Sequence, residues 1–525
     1  MDIPRFGIPE KLAGRMGMAE QHEYLRARLT RRGVLRTTAA TAAVVGTGAA
    51  LSQASSPAYA VAPEVITSRH SSTQVDGSLV APFGRHLAYG ADAKTQMAVS
   101  WQVPFAVKRP YIRIGDKPWA LSRKIDAEVR HLTTPLLGNG RIAAAEQFYV
   151  HAALERLKPG TTYYYGVGHE GFDPSDIRNL GTLGTFTTAP ARAESFTFTA
   201  FGDQGVSYHA LGNDQLILGQ NPAFHLHAGD ICYADPSGSG QTTDTYDART
   251  WDQFLAQTET VSKTVPWMVT TGNHDMEAWY SPDGYGGQNA RWTLPDNGPD
   301  PVGQPGAYSF THGSVGVIAL DANDVSYEIP ANFGISGGKQ TRWLDRRLGE
   351  LRARHDIDFI VVFFHHCAFS TTNAHASEGG VRDAWVPLFE KHQVDLVING
   401  HNHVYERTDA ILKNAVRRTV PIGEHTDPTR DGIVYVTAGG AGKALYDFPV
   451  PDSYEGHVAD LESVSTYHVA KGGGKATETV EWSRVRYTGF SFLAVEVQTG
   501  PHPRMKVTAL AESGERVDHF EISRG

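Results

Sequence analysis

Two rhythms of apolar and polar positions divide this chain. Between residues 81 and 192, short runs mix β-branched and aromatic residues with polar ones, as in "QMAVSWQV" (96–103) and "PYIRIGD" (110–116). The stretch "QFYVHAALERLKPGTTYYYGVG" (147–168) reads as strand, Lys-Pro-Gly turn and strand, and "LGTFTTAP" (183–190) closes the unit. Short strands between turn signals predict an all-β sandwich. Near residue 195 the rhythm changes. Near-continuous apolar runs now end in glycine-rich polar loops. They are "SFTFTAFGDQG" (195–205), "AFHLHAGDICYAD" (223–235), "PWMVTTGNHDME" (266–277), "SVGVIALDAND" (314–324), "DFIVVFFHHCAF" (358–369), "VDLVINGHNHVYER" (394–407) and "GIVYVTAGGAG" (432–442). Segments of helical length lie between them, including 339–355 and 380–392. Continuous apolar strands imply a sheet covered on both faces, so 195–525 is predicted to be an α/β domain. Residues 443–486 fit neither rhythm. "KGGGK" (471–475) reads as a flexible loop, and three further strands are expected before the C-terminus.

The first 60 residues change the picture of where the chain works. Thr30-Arg31-Arg32-Gly33-Val34-Leu35-Arg36 has the twin-arginine pattern, a mild Ala-, Gly- and Thr-rich stretch follows, and Ala58-x-Ala60 suits a signal peptidase. Residues 1–60 are therefore expected to be a cleaved twin-arginine (Tat) export signal, which makes the mature protein secreted or extracytoplasmic. Residues 61–80 are expected to be a linker. No other segment reaches the length of a membrane span, so no permanent span is expected. The net charge of −9 and the lack of a basic cluster argue against a nucleic-acid partner, while leaving a small phosphate ester possible. Cys232 and Cys367 are the only cysteines. Their pairing is open, although the twin-arginine route carries chains already folded in a reducing compartment.

The strand ends carry the candidate chemistry. In chain order they present Asp203, Asp230 with Tyr233, Asn273 with His274 and Asp275, His365 with His366, and His401 with His403. Taken singly, each motif is an ordinary turn or a chance pair. Five in succession, each ending an apolar strand, point to a metal centre. Imidazole and carboxylate together favour transition metals such as Fe, Zn and Mn. Two cations about 3.5–4 Å apart need a bridging group, which a carboxylate supplies. Glycines before the donors are expected to let the chain turn sharply. His401 and His403 are two residues apart, so in extended chain they point to opposite sides and can address different metals.

These motifs resemble those of the purple acid phosphatases, within the calcineurin-like metallophosphoesterases. The order Asp203, Gly-Asp230-x-x-Tyr233, Gly-Asn273-His274, Val362-x-x-His365 and Gly-His401-x-His403 is the family's order, and "AYSFTHGSVGVIALD" and "QTRWLDRRL" match as well. "LKPGTTYYYGVG" resembles a fibronectin type III strand and turn. The resemblance implies an α/β metallophosphoesterase sandwich, with βαβαβ units and two mixed sheets flanked by helices, behind an all-β fibronectin type III-like domain. It also implies roles. Asp203, Tyr233 and His403 would hold Fe(3+), Asp230 would bridge, and Asn273, His365 and His401 would hold a divalent Fe, Zn or Mn ion. Asn273 and His274 would contact phosphate. His375 stands at the position of a histidine that protonates the leaving group, with Ala374 where plant-type members often carry a second one. His366 is either a further substrate contact or an inert loop residue. Asp275 replaces a common Glu outside the ligand set.

The expected function is hydrolysis of phosphate monoesters by attack of a metal-bound hydroxide, with His375 protonating the departing alkoxide. Two alternatives stay open. The same centre could prefer phosphodiesters such as nucleotides or lipid head groups, with walls supplied by 443–486. Or the protein could be a non-catalytic surface binding protein using its β domain.

Overall fold

Residues 83–187 build two four-stranded sheets, both antiparallel throughout. One has the order Phe83–Tyr89, Met97–Val103, Ala145–Leu154, Glu128–Thr134; the other has Arg123–Asp126, Tyr111–Gly115, Thr162–Gly168, Gly184–Thr187. Alternate residues of these strands close the core between them: Val99, Trp101, Ile112, Ile114, Val150, Tyr165 and Phe186 are buried. The computed structural model describes residues 75–135, 144–457 and 463–524. The expected export signal and residues 61–74 of the expected linker lie outside the described residues. Chain at the other end of that expected linker is ordered by packing, since Val80 is buried and Gly77–Leu79 form a 3-10 turn.

The second domain is a pair of seven-stranded mixed sheets. The first has the order Trp267–Val269, His225–His227, Phe196–Phe201, Ser491–Gln498, Arg504–Ala511, Arg516–Ser523, His425–Thr426. The second has Tyr308–His312, Val315–Ala319, Phe359–Phe364, Leu396–Asn399, Val434–Ala438, Tyr405–Thr408, Ser483–Tyr487. Trp267–Val269, His225–His227 and Phe196–Phe201 run parallel in the first sheet, and Val315–Ala319, Phe359–Phe364, Leu396–Asn399 and Val434–Ala438 in the second, so within each set the C-terminal ends point the same way. Both faces of these strands are buried, which explains the unbroken apolar runs. The two domains pack closely. Arg85 pairs with Glu259 of the helix Arg249–Ser262, and the Tyr165 hydroxyl donates to the Lys263 carbonyl at 2.8 Å.

Two segments differ from the expectation. The 380–392 region forms two short helices, Gly379–Ala384 and Val386–Lys391. Pro387 cannot donate to the carbonyl four residues back, so one helix ends and another starts at Trp385. "KGGGK" forms the turn of a hairpin rather than a flexible loop, closed by Ala470 N–H donating to Gly474 O at 2.7 Å. The hairpin strands, Val464–Val469 and Lys475–Val480, add to Ser377–Glu378 in a small sheet. The three expected C-terminal strands form, at Ser491–Gln498, Arg504–Ala511 and Arg516–Ser523. Ser491–Gln498 pairs directly with Phe196–Phe201, in the middle of the first sheet.

Candidate metal centre

The predicted donors meet where the C-terminal ends of the two sheets face each other. Asp203, Asp230, Tyr233 and His401 all adopt left-handed backbone, with φ between 51 and 67°. For non-glycine residues each such conformation costs on the order of 1 kcal/mol, and packing must hold it. Gly229 makes the sharp turn expected of it, while Gly272 and Gly400 serve a different purpose. Among Gly202, Gly229, Gly272 and Gly400 only Gly229 has positive φ. A Cβ on Gly272 would lie 2.1 Å from Asp230 Oδ1, and one on Gly400 would lie 2.7 Å from Asp203 Oδ2. These glycines are needed because a donor's carboxylate passes directly over them; the donors themselves make the sharp turns.

The donors form two adjoining groups. In one, Tyr233 Oη lies 3.0 Å from Asp203 Oδ1 and 2.8 Å from His403 Nε2, and the last two atoms are 3.4 Å apart. In the other, His365 Nε2 lies 3.0 Å from Asn273 Oδ1, 3.1 Å from His401 Nδ1 and 3.2 Å from Asp230 Oδ2. His401 and His403 therefore part company, one in each group. The charge of Asp230 reaches both, acting on His365 and on Tyr233. The Asp230 backbone is fixed by Asp275, whose Oδ2 accepts from Asp230 N–H at 2.9 Å and from Gly272 N–H at 2.8 Å.

The tautomers follow from the outer hydrogen bonds. His365 Nδ1 donates to Ala228 O at 2.9 Å and His403 Nδ1 to Ala444 O at 2.6 Å, so both Nε2 atoms turn lone pairs inward. His274 Nδ1 donates to Asp235 O at 2.6 Å, leaving Nε2 3.8 Å from Asp230 Oδ2. Asn273 Nδ2 donates to Gly238 O at 3.1 Å, which aims Oδ1 at His365. Lone pairs of neutral imidazole, amide oxygen and carboxylate thus converge with too few protons to satisfy them. This donor chemistry fits cations in both groups. Burial, then the charges of Asp203 and Asp230, push the Tyr233 phenol well up, so a phenolate there requires a cation. Burial pushes His365 down, but Asp230 outweighs it and raises the imidazole to about 9, so its Nε2 lone pair is free only when a cation takes the place of the proton. Burial lowers His274, with Asp230 opposing, and lowers His401 to about 4.

His375 sits at the rim, its ring 4.7 Å from that of His401. His366 does not reach the opening: it is fully buried, 4.5 Å from the His401 ring, with neither nitrogen hydrogen-bonded. The expected substrate contact from His366 is therefore not available in this arrangement. Three further residues belong to the site. Glu328 lies 2.7 Å from His375 Nδ1 and 3.3 Å from His401 Nε2. Lys443 Nζ stands 4.1 Å from the centre of the Tyr233 ring, and the Tyr446 ring stacks on His403 at 4.1 Å. None of the three lies in a strand-end motif, so no local pattern marks them. Cys232 and Cys367 are both buried and unpaired. Cys367 Sγ instead donates to Gly400 O at 2.9 Å.

Comparisons with known proteins place the chain in a family. Residues 82–188 match the family model of the purple acid phosphatase N-terminal domain, and 196–405 that of the calcineurin-like phosphoesterases. An uncharacterised protein of Mycobacterium tuberculosis is 34% identical, across 84% of this chain and 87% of its own length. Purple acid phosphatase 21 of Arabidopsis thaliana is 28% identical, across 66% of this chain and 69% of its own. The fold is shared with a purple acid phosphatase from yellow lupin (Lupinus luteus), with a TM-score of 0.63 at 19% identity, covering 85% of this chain and 74% of that one. The fold and site define a metal-dependent phosphoric ester hydrolase. The chain belongs to the purple acid phosphatase family, which implies a dinuclear metal centre.

Proposed function

We propose that this protein is an exported acid phosphatase that hydrolyses small phosphate monoesters at a centre of Fe(3+) and a divalent Fe, Zn or Mn ion. The observation that carries the reading is the pair of adjoining donor groups, one of Tyr233, Asp203 and His403, the other of Asp230, Asn273, His365 and His401. Asp203, Tyr233 and His403 would hold the ferric ion, Asn273, His365 and His401 the divalent one, and Asp230 both. When bound, the cations supply Lewis acidity toward the phosphoryl oxygens and lower the pKa of coordinated water.

The chain's own residues do the rest. Asn273 is locked by Gly238, so its amide oxygen keeps one orientation. His274 has its Nδ1 proton committed to Asp235 O and can reach a phosphoryl oxygen only through Nε2. Donation from Nε2 needs the imidazolium, which acid solution and a bound dianion both favour. His375 Nε2 is left for the leaving oxygen, to which it gives a proton as the P–O bond breaks. Export rests on the twin-arginine pattern of residues 30–36.

Protein purified without chelator should carry about two metals per chain and show a visible tyrosinate band that Tyr233→Phe removes. It should hydrolyse p-nitrophenyl phosphate faster than bis(p-nitrophenyl) phosphate at acid pH. The reverse substrate order would replace the monoesterase by a phosphodiesterase. Protein without metal or hydrolysis, even after reconstitution, would leave only a binding role.

A further inference from the structure

We propose that Glu328 is a positioning residue that fixes His375 and His401 together with one carboxylate. The proposal deepens the phosphatase reading above and rests on it. A histidine presents one nitrogen reliably only when the other N–H is held. For His365, His403 and His274 the holder is a backbone carbonyl, of Ala228, Ala444 and Asp235 respectively. His401 and His375 are different. His375 Nδ1 lies 2.7 Å from Glu328 Oε1, and His401 Nε2 lies 3.3 Å from Glu328 Oε2. His401 therefore turns Nδ1, not Nε2, toward His365, and His375 keeps Nε2 for the open side. Ala374 beside it has no polar side chain to share the task.

Glu328 is itself held before any ligand arrives. The Glu378 carboxylate accepts from Tyr327 N–H at 2.8 Å, Glu328 N–H at 3.1 Å and Ser326 Oγ at 2.9 Å. The excursion that carries Glu328 is closed at its base. Asp321 N–H donates to Gln340 Oε1 at 2.8 Å, and Asp324 Oδ2 accepts from Ser336 Oγ at 2.6 Å. A site supported this way is preorganised rather than formed on binding. Glu328, His375 and His401 also have ligand atoms within 4.8 Å of one another, the spacing of a cation site. The pairing of one carboxylate oxygen with each imidazole fits hydrogen bonding instead, and the two readings predict different metal counts.

The test uses the full mature protein with Glu328→Ala, Glu328→Gln and His375→Ala. Chelator-driven metal loss and elemental analysis are read alongside turnover of phenyl phosphate and 2,4-dinitrophenyl phosphate. Glu328→Ala should weaken retention of one of the two metals roughly 10- to 100-fold. It should slow phenyl phosphate at least about tenfold more than the dinitrophenyl ester, whose leaving group needs no proton. His375→Ala should show the same leaving-group bias, and the double variant no more. Glu328→Gln, which can still accept from one imidazole, should recover part of the metal retention; it also carries both readouts if the alanine variant does not fold. Equal slowing on both esters with unchanged metal retention would overturn the proposal. So would three metals in the parent protein and two in Glu328→Ala. If the parent hydrolyses neither ester, the phosphatase reading fails, and metal retention still decides the His401 half.

Discussion

The two mixed sheets make unequal contributions to the centre. The sheet built on Phe196–Phe201 sends oxygen donors from its strand ends: Asp203, Asp230, Tyr233 and Asn273. The sheet built on Phe359–Phe364 sends the imidazoles His365, His401 and His403. Each donor group draws on both sheets, so neither sheet alone holds a site. The seam is tied by bonds that cross it: His401 N–H donates to Asp203 Oδ2 at 2.8 Å, and His365 Nδ1 donates to Ala228 O at 2.9 Å. The site is therefore also an account of how the sheets are registered on one another.

Several changes would break or sharpen this contrast. The largest effect is expected on the oxygen side. Asp230→Asn removes the charge felt by both groups, and turnover should fall by at least roughly 10³-fold, beyond the loss of one oxyanion donor. Metal analysis should find both ions weakened. His365→Ala, on the imidazole side, should remove one ion and leave the Tyr233 group intact; loss of both ions would show that the halves are not separable. Gly400→Ala attacks the seam itself, since its Cβ would meet Asp203 Oδ2. A loss of about 1–3 kcal/mol in urea unfolding, with reduced metal content, is expected. Tyr233→Phe should cost least in stability, about 1 kcal/mol for a lost hydrogen bond, while abolishing the visible band.

A slower effect concerns pH. Burial lowers the imidazole of His312 to about 3, at the contact between the domains where its ring lies 5.8 Å from that of Tyr89. Its contribution is complete above the unfolded pKa near 6.5, because both states are then neutral. Below that, the unfolded chain binds the extra proton, and stability falls until about pH 3, on the order of 1 kcal/mol per pH unit. Thermal melts of the metal-loaded protein between pH 7 and 4 should show this decline. Substitution of His312 by Asn should make it shallower by the contribution of one proton, the other buried histidines keeping theirs.

The donors were legible because each one ends an apolar strand, and chain order then mirrors spatial order in parallel β structure. The two-sheet architecture was legible through the family resemblance of those motifs, and the β domain through its turn spacing. Glu328, Lys443 and Tyr446 were not. They lie in irregular chain, and only tertiary contact brings them to His375, Tyr233 and His403. His366 misleads for the opposite reason. It sits beside a candidate donor in sequence, but it lies past the strand end and its imidazole is sealed from solvent behind His401. Gly272 and Gly400 are half legible, because sequence reveals a missing side chain and not the carboxylate that passes over it.

The place of the C-terminal strands has a consequence for the order of events in the cell. Phe196–Phe201, which leads into Asp203, has His225–His227 on one side and Ser491–Gln498 on the other. A chain still emerging from the ribosome has made every donor by His403 but lacks the strand that flanks the first of them. Three of the seven strands of that sheet belong to residues 491–523. The strand that leads into Asp203 is thus flanked by chain far downstream of His403, the last donor in the sequence.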